Sequence, residues 1–244
     1  MADAGALLSL WECASLQAPP RRDDALLRAA GLGPARTLGE RNRLLLDLPA
    51  RLFGGGLALL SHCPACGAAA EFSADSGELA SAIALPHSPG PHALQVQDHA
   101  LQFRLPDGED LALAAAQADA GHPDDHGEGF ARCLLARCVT ACCLRGEPVS
   151  LDRLPAAAMD ALSQRMQALD PGAELSFALA CPHCATPWTA ALDLGELLWR
   201  KLRDAAERLL LDVDALARAY GWNEPEVLAL SPLRRAAYLQ MASA

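Results

Sequence analysis

The stretches LALLSHCPACGAAAEFSADSGEL (57–79) and LSFALACPHCATPWTAALDLGEL (175–197) decide the fold of this chain. Their Cys-Pro-x-Cys pairs lie 118 residues apart, and the Gly-Glu-Leu triplets match at the same offset without a gap. Each pair follows one short apolar stretch and precedes a second, which predicts a strand–knuckle–strand unit that runs into a helix. We therefore expect two related halves, each with a zinc-ribbon-like β-hairpin.

The two cysteine pairs predict one metal site. A Cys-x-x-Cys turn directs two sulfurs at one ion, and structural zinc takes four ligands in a tetrahedron. Because neither pair completes that set alone, we expect one structural Zn²⁺ held by Cys63, Cys66, Cys181 and Cys184. The ion would join distant parts of the chain much as a crosslink does. Four cysteines also close the site, so no position remains for a catalytic water.

Three other interpretations of the cysteine pairs stay open. The sulfurs could simply be packed as small buried groups. CPHC is also the sequence of a class of thiol oxidants, but that chemistry needs the first cysteine at a helix N-terminus, and Ala185-Thr-Pro-Trp-Thr189 is typical of a turn and a strand. A zinc-ribbon adaptor for nucleic acid or transcription machinery needs a basic face, yet residues 57–80 contain no Lys or Arg.

The other cysteines and the histidines carry weaker signals. Cys133, Cys138, Cys142 and Cys143 fall on a predicted helix, Phe130–Leu144, whose apolar residues favour buried free thiols over a second metal site. Cys13 is expected to be a lone packed thiol. His62 and His183 adjoin the knuckles and are alternative ligands. His122 and His126 lie in a polar stretch, residues 120–129, that we predict to be a solvated loop rather than a hydrolase centre.

Composition sets the class of protein. The chain has 244 residues, of which 52% are apolar, and a formal charge of −10, which disfavours a general nucleic-acid surface. Nine cysteines, an odd number, argue against a secreted disulfide scaffold. The sequence contains no apolar run near the ~20 residues of a membrane span, and its first residues lack the basic start of a secretory signal. We expect synthesis in a reducing cytoplasm.

The remaining pattern predicts an α+β fold with flanking helices and a helical C-terminal tail. Part of that tail could be mistaken for a DNA-binding helix-turn-helix, but the segment after Gly221 is acidic and apolar. We divide the chain into an N-terminal half (1–118), a second half (119–198) and the tail (199–244). Apart from the hairpins and helices already named, the predicted elements are a helix over Asp23–Gly31, a helix over Leu38–Phe53 interrupted or begun by Pro49, a hairpin over Ala93–Leu105, helices over Asp107–Ala118, Pro155–Leu169 and Leu194–Tyr220, and two short helices beginning at Asn223 and Ser231.

The order of several segments resembles a known family. The segments are LGERNRLLL (38–46), CPACG (63–67), DPGAEL (170–175), CPHC (181–184), LARAYGW (216–222), EVLALS (226–231) and RRAAYL (234–239). In this order they resemble the myovirus-type baseplate (hub assembly) proteins and their relatives in contractile injection systems. The resemblance covers most of residues 38–241, and its distinctive part is the tail.

The resemblance implies a non-enzymatic role in building or forming a contractile-tail baseplate. It implies baseplate hub or wedge proteins as partners, with no nucleic acid, and incorporation into a phage tail or injection particle. The tail aromatics Trp199, Tyr220, Trp222 and Tyr238 are candidate anchors for a partner, although Trp199 and Trp222 are better explained as core residues. The sequence contains no phosphate-binding Gly-rich loop and no nucleophile elbow, in keeping with a protein that binds rather than catalyses.

Overall fold

The computed structural model describes residues 3–119, 126–151 and 154–242. These residues form an α+β fold with small antiparallel sheets and a helical C-terminus. The helices are α1 (Ala4–Ser15), α2 (Pro19–Ala29), α3 (Leu38–Phe53), α4 (Ser76–Ala82), α5 (Gly108–Asp119), α6 (His126–Cys138), α7 (Ala156–Leu169), α8 (Leu194–Tyr220), α9 (Glu224–Leu228) and α10 (Pro232–Ala242). The strands are β1 (Gly56–His62), β2 (Ala69–Asp75), β3 (His92–Val96), β4 (His99–Phe103), β5 (Val139–Leu144), β6 (Glu147–Pro148), β7 (Ser176–Ala180) and β8 (Pro187–Ala191).

The two cysteine pairs lie in the turns of separate two-stranded hairpins, β1–β2 and β7–β8. Each hairpin runs into a helix, and both helices are capped by an aspartate. Asp75 accepts from the backbone N–H groups of Gly77 and Glu78, and Asp193, 118 residues later, accepts from that of Glu196. The sequence repeat is thus also a repeat of hairpin, cap and helix.

The larger core unites the beginning of the chain with the second repeat. Leu45 and Leu46 of α3 are fully buried, and they cluster with Leu57 of β1 and Leu202 of α8. Further members come from α1 and α2. The helix α8 buries a stripe of apolar residues against these partners and exposes its charged face, as its 3.6-residue periodicity predicts. The predicted division of the chain into residues 1–118, 119–198 and 199–244 stays a prediction.

A second core lies behind the four-stranded sheet, in which β3, β4, β5 and β6 follow in that order. Phe103, Cys138 and Leu162 are its most deeply buried members. At its margin Asp110 is buried, and it accepts hydrogen bonds from Arg104 and Arg137. Burial by itself would raise the pKa of Asp110, but the hydrogen bonds from Arg104 and the Asp107 backbone, together with the charges of Arg104 and Arg137, outweigh it and the pKa is lowered. The two arginines therefore compensate for burying a carboxylate.

Two sequence predictions in the second half are wrong in part. The helix predicted over Phe130–Leu144 ends at Cys138, and the chain continues as β5. β-branched Val139 and Thr140 favour a strand, and β5 pairs with β4, with Leu101 opposite Cys142. An apolar run alone does not distinguish a buried helix from a buried strand. The second is the loop predicted over residues 120–129. This segment is helical from His126 to Gly129, while His122 lies outside the described residues.

At the N-terminus the sequence analysis missed α1 and placed the start of α2 too late. α2 begins at Pro19, where proline fits the first helical turn because its missing N–H has no partner there in any case. The prediction that Pro49 interrupts or begins the helix is wrong, because Pro49 lies inside α3, which continues to Phe53 and stops at Gly54 in the left-handed conformation. The 93–105 hairpin is confirmed as β3 and β4.

Candidate metal centre

Both knuckles have the same backbone geometry. In the first, the Cys63 N–H donates to the Ala68 carbonyl at 2.9 Å, and the Gly67 N–H donates to the Cys63 carbonyl at 2.9 Å. In the second, the Cys181 N–H donates to the Thr186 carbonyl at 3.0 Å, and the Ala185 N–H donates to the Cys181 carbonyl at 2.9 Å. The donors and acceptors correspond at the 118-residue offset.

One position in each knuckle needs the left-handed backbone conformation. Gly67 adopts it with φ of 73°, and Ala185, its counterpart, adopts it with φ of 58°. Glycine has no Cβ and enters this region freely, whereas alanine does so at a cost of about 1–2 kcal/mol. The second knuckle therefore carries backbone strain that the first avoids.

The four sulfur atoms converge. Cys63 Sγ lies 3.7 Å from Cys184 Sγ, and Cys66 Sγ lies 3.5 Å from Cys181 Sγ. All four ligand atoms lie within 4.8 Å of one another. These separations are far beyond a disulfide bond of about 2.05 Å, and the four cysteines are free thiols. A tetrahedron with metal–sulfur bonds of about 2.3 Å has edges of about 3.8 Å, so the cluster can hold one metal ion.

Contacts between the hairpins bring the two cysteine pairs together. Phe72 of β2 and Phe177 of β7 meet edge to face, with ring centroids 5.2 Å apart. A second contact between the hairpins is a hydrogen bond, in which the indole N–H of Trp188 on β8 donates to Ser61 Oγ on β1 at 3.3 Å. Such an aromatic pair contributes about 0.5–1.5 kcal/mol beyond its buried area. The side chains thus hold the sulfurs close to the positions that a metal requires.

The sulfurs differ in exposure. Cys63 and Cys181 are 3% and 4% exposed, whereas Cys66 and Cys184 face solvent. The ion would therefore sit at the edge of the protein, with two ligands toward the core and two toward water.

The protein environment also shifts the pKa values of three of these thiols, in different directions. The Thr186 hydroxyl and then the Thr186 backbone lower the pKa of Cys184 to about 6. The backbone N–H groups of Cys184 and then His183 lower the pKa of Cys181. The Ala68 backbone acts in the same sense on Cys66, but the neighbouring cysteine thiols outweigh it and raise the pKa of Cys66 to about 12. A bound cation would stabilise all four sulfurs as thiolates, because metal binding displaces the thiol protons.

The other candidate ligands do not join the cluster. Among the described residues, the four cysteines form the one group of three or more metal-binding side chains close enough to share an ion. His62 is outside that group, and His183 contributes its backbone N–H to Cys181 Sγ at 3.4 Å rather than its ring. His122 lies outside the described residues, so the His122–His126 prediction stays untested.

The remaining cysteines are free. Cys138 and Cys142 are buried, and burial raises the pKa of both thiols, that of Cys138 to about 12, so they are unreactive at neutral pH. Cys133 and Cys143 are half-buried. The prediction for Cys13 is wrong, because its side chain is exposed. It lies on α1, the helix that the sequence analysis missed.

Two of the segments that carry the family resemblance contact each other. The Gly39 N–H donates to the Asp170 carboxylate at 2.9 Å. The Asn42 side-chain amide donates to the carbonyls of Gly172 and Ala173 at 2.9 and 3.1 Å. The LGERN segment at the start of α3 is thus fastened to the DPGAEL segment that leads into β7.

The tail aromatics pack on one another. Tyr220 stacks on Trp222 with ring centroids 4.9 Å apart, and Tyr238 of α10 meets both rings edge to face. Trp199 is buried, as expected, and the Arg22 guanidinium lies 4.2 Å above its ring. Tyr220 and Trp222 therefore fix the end of α8 to α10, and Tyr220 is still 39% exposed.

Across the described ranges, no helix has both the length and the apolar character needed to cross a membrane. Comparison of the chain with protein-family models, with curated proteins and with solved structures gave no match.

Proposed function

We propose that this protein is a non-enzymatic structural or assembly component of a contractile phage-tail-like baseplate, and that a structural Zn²⁺ ion joins its two hairpins. The observation that carries the metal-joined architecture is the convergence of four cysteine sulfurs from two matching knuckles. In this proposal the protein is made in the cytoplasm, acts through contacts with baseplate hub or wedge proteins, and either enters the particle or assists its assembly.

Zinc is the metal that this donor set favours. Four thiolates at tetrahedral spacing are typical of structural zinc sites, whereas carboxylate and carbonyl oxygens suit magnesium and calcium. The cluster offers four sulfurs and no oxygen ligand. All four coordination positions would be filled by the protein, and this supports a stabilising rather than a catalytic role.

The backbone after the second cysteine pair supports metal binding over thiol–disulfide exchange. Cys181 follows β7, and a turn and then β8 come after it, so its sulfur is not at the N-terminus of a helix. The helix dipole that activates the nucleophile of thiol oxidants is therefore missing at this position. The lowered pKa values of Cys181 and Cys184 are the features that favour the redox alternative. A zinc-free protein that catalyses thiol–disulfide exchange, with Cys181 and Cys184 alternating between dithiol and disulfide, would establish that alternative.

The baseplate assignment rests on the sequence resemblance and is supported by contacts within it. LGERN and DPGAEL are fastened together by three hydrogen bonds. In the tail, Gly221 ends α8 in the left-handed conformation, and Asn223 and Glu226 form a reciprocal capping box at α9. The segments of the resemblance thus hold structural positions rather than falling in unrelated loops.

The partner is tested by affinity purification from the native host. A tagged full-length chain is recovered before and after infection or induction of the injection system, and bound proteins are identified by mass spectrometry. We expect tail-tube, hub or wedge proteins in stoichiometric amounts. Leu211 and Leu233 of the tail are 68% and 83% exposed, so the double variant Leu211→Ser/Leu233→Ser should lose these partners.

Leu16→Ser is the matched control for that experiment, because Leu16 is 85% exposed but lies at the end of α1. It should retain the partners. Recovery of unrelated enzymes alone, under conditions in which the injection machinery is expressed, would contradict the baseplate role.

A further inference from the structure

The two knuckles match in backbone but differ in what surrounds their exposed sulfurs. Thr186 Oγ1 lies 3.2 Å from Cys184 Sγ. The residue at the same place in the first knuckle is Ala68, which has no hydroxyl to offer to Cys66. Both residues use their backbone carbonyls identically, to accept from the N–H of the first cysteine of their pair. The side-chain hydroxyl is thus the difference that bears on the ligands.

We propose that Thr186 is a positioning residue of the metal centre, whose hydroxyl donates a hydrogen bond to the metal-bound thiolate of Cys184 and thereby slows loss of the ion. This inference rests on the proposed metal site. A metal-bound thiolate carries no proton, so Thr186 must be the donor and Cys184 Sγ the acceptor.

The location of this hydrogen bond gives it its effect. Cys184 is one of the two sulfurs that solvent and chelators can reach, whereas Cys63 and Cys181 are buried. It also directly precedes the strained residue of its knuckle, Ala185, which adopts a positive φ where the first knuckle has Gly67. Cys184 is therefore the ligand at which opening of the site should begin, and Thr186 is the side chain that opposes that opening.

The experiment measures metal release from the zinc-loaded, full-length protein into an excess of a chromogenic chelator. Thr186→Val removes the hydroxyl and keeps the shape of the side chain. Outer-shell partners of metal ligands typically contribute about 10- to 100-fold to metal affinity, and we expect release from Thr186→Val to be roughly tenfold faster than from the wild type. Thr186→Ser restores a hydroxyl and should restore the slow release.

Ala68→Val is the matched control, since it places the same side chain at the equivalent position without removing a contact to sulfur. Its release rate should equal that of the wild type. Because faster release could also follow from a looser fold, the Co²⁺-substituted proteins provide a second measurement. The thiolate-to-cobalt absorption band should shift in Thr186→Val and not in Thr186→Ser or Ala68→Val.

The outcomes separate this inference from the proposed function. A wild-type chain that binds neither zinc nor cobalt overturns the metal centre and this inference together. A wild-type chain that binds the metal, with a Thr186→Val variant that releases it at the wild-type rate and shows an unshifted cobalt band, overturns the role of Thr186 alone.

Discussion

The backbone N–H of Gly39 donates a 2.9 Å hydrogen bond to Oδ2 of Asp170, across 131 residues of chain. Gly39 is in the first turn of α3, where the backbone N–H groups lack partners within the helix. The buried Asp170 carboxylate therefore serves as a cap supplied from a distant segment, and it also complements the positive end of the helix dipole. The contact links the start of α3, a helix of the larger core, to the segment that leads into the second repeat.

Gly39→Ala should destabilise the fold. A Cβ at Gly39 would overlap the Asp170 carboxylate, which has no room to withdraw because it is 1% exposed. Overpacking of this kind costs about 1–3 kcal/mol, and urea unfolding followed by circular dichroism measures it. Gly129→Ala is the control, because Gly129 is also helical and no described atom lies within 4 Å of the Cβ that alanine would add. The control substitution should be neutral or slightly stabilising. Equal changes in unfolding free energy for the two substitutions would contradict the capping role.

Ala185→Gly should stabilise the protein. It relieves the positive φ of 58° in the second knuckle, but the added flexibility of the unfolded chain offsets part of the gain, which leaves roughly 0.5–1 kcal/mol. Gly67→Ala, at the matching position, should destabilise by about 1 kcal/mol. Denaturant midpoints of the metal-loaded variants test both signs. Destabilisation by Ala185→Gly would show that the second knuckle is not strained.

Sequence reasoning anticipated the four-cysteine cluster because its signal is local. A Cys-Pro-x-Cys turn carries its own geometry, and the repeat at 118 residues showed that two such turns belong together. The strands around Leu59 and Phe177 followed from the short apolar stretches beside the cysteine pairs, and α8 from its long 3.6-residue pattern.

The features that sequence reasoning missed depend on contacts between distant segments. Nothing near Gly39 indicates that Asp170 will cap it, and nothing near Trp188 indicates that its indole will reach Ser61. At Val139 the local pattern suited a helix and a strand equally, and pairing with β4 decided it. The role of Thr186 was visible only by comparison with Ala68, its counterpart in the repeat.

The stability of the protein should depend on pH through Asp23. This carboxylate is 6% exposed, and burial raises its pKa to about 6 against the opposing Arg41 guanidinium, with Asp193 and Asp24 adding to the rise. A raised pKa means that protonation favours the folded state. The contribution is complete below about pH 4 and is lost as the pH rises through about 6.

We test this contribution by comparing the unfolding free energies of the wild type and Asp23→Asn at about pH 5 and about pH 7.5, two values that bracket the shifted titration. Between them the wild type should lose roughly 1 kcal/mol of unfolding free energy relative to the variant. Comparison at each pH cancels the pH dependence of metal binding, which the two proteins share. Asp47→Asn, on the exposed side of α3, is the control. Parallel pH profiles for wild type and Asp23→Asn would rule out the buried titration.

Removal of the metal should loosen the hairpins first. Amides of residues 56–75 and 176–191 should lose hydrogen-exchange protection in excess chelator, because the ion stabilises the folded state by mass action. Amides of the second core, around Leu101 and Phe103, belong to a separate cluster and should stay protected. Uniform loss of protection would mean that the metal supports the whole fold, and unchanged protection would mean that it supports neither hairpin.

The most direct test of the metal-joined architecture is the metal content of the purified full-length protein, measured by elemental analysis beside protein concentration. The account predicts one zinc ion per chain in the wild type and in Cys133→Ser, which alters a thiol outside the cluster, and loss of zinc in Cys181→Ser. A folded wild-type chain without zinc, or one whose Cys63, Cys66, Cys181 and Cys184 are found in disulfide bonds, would contradict it.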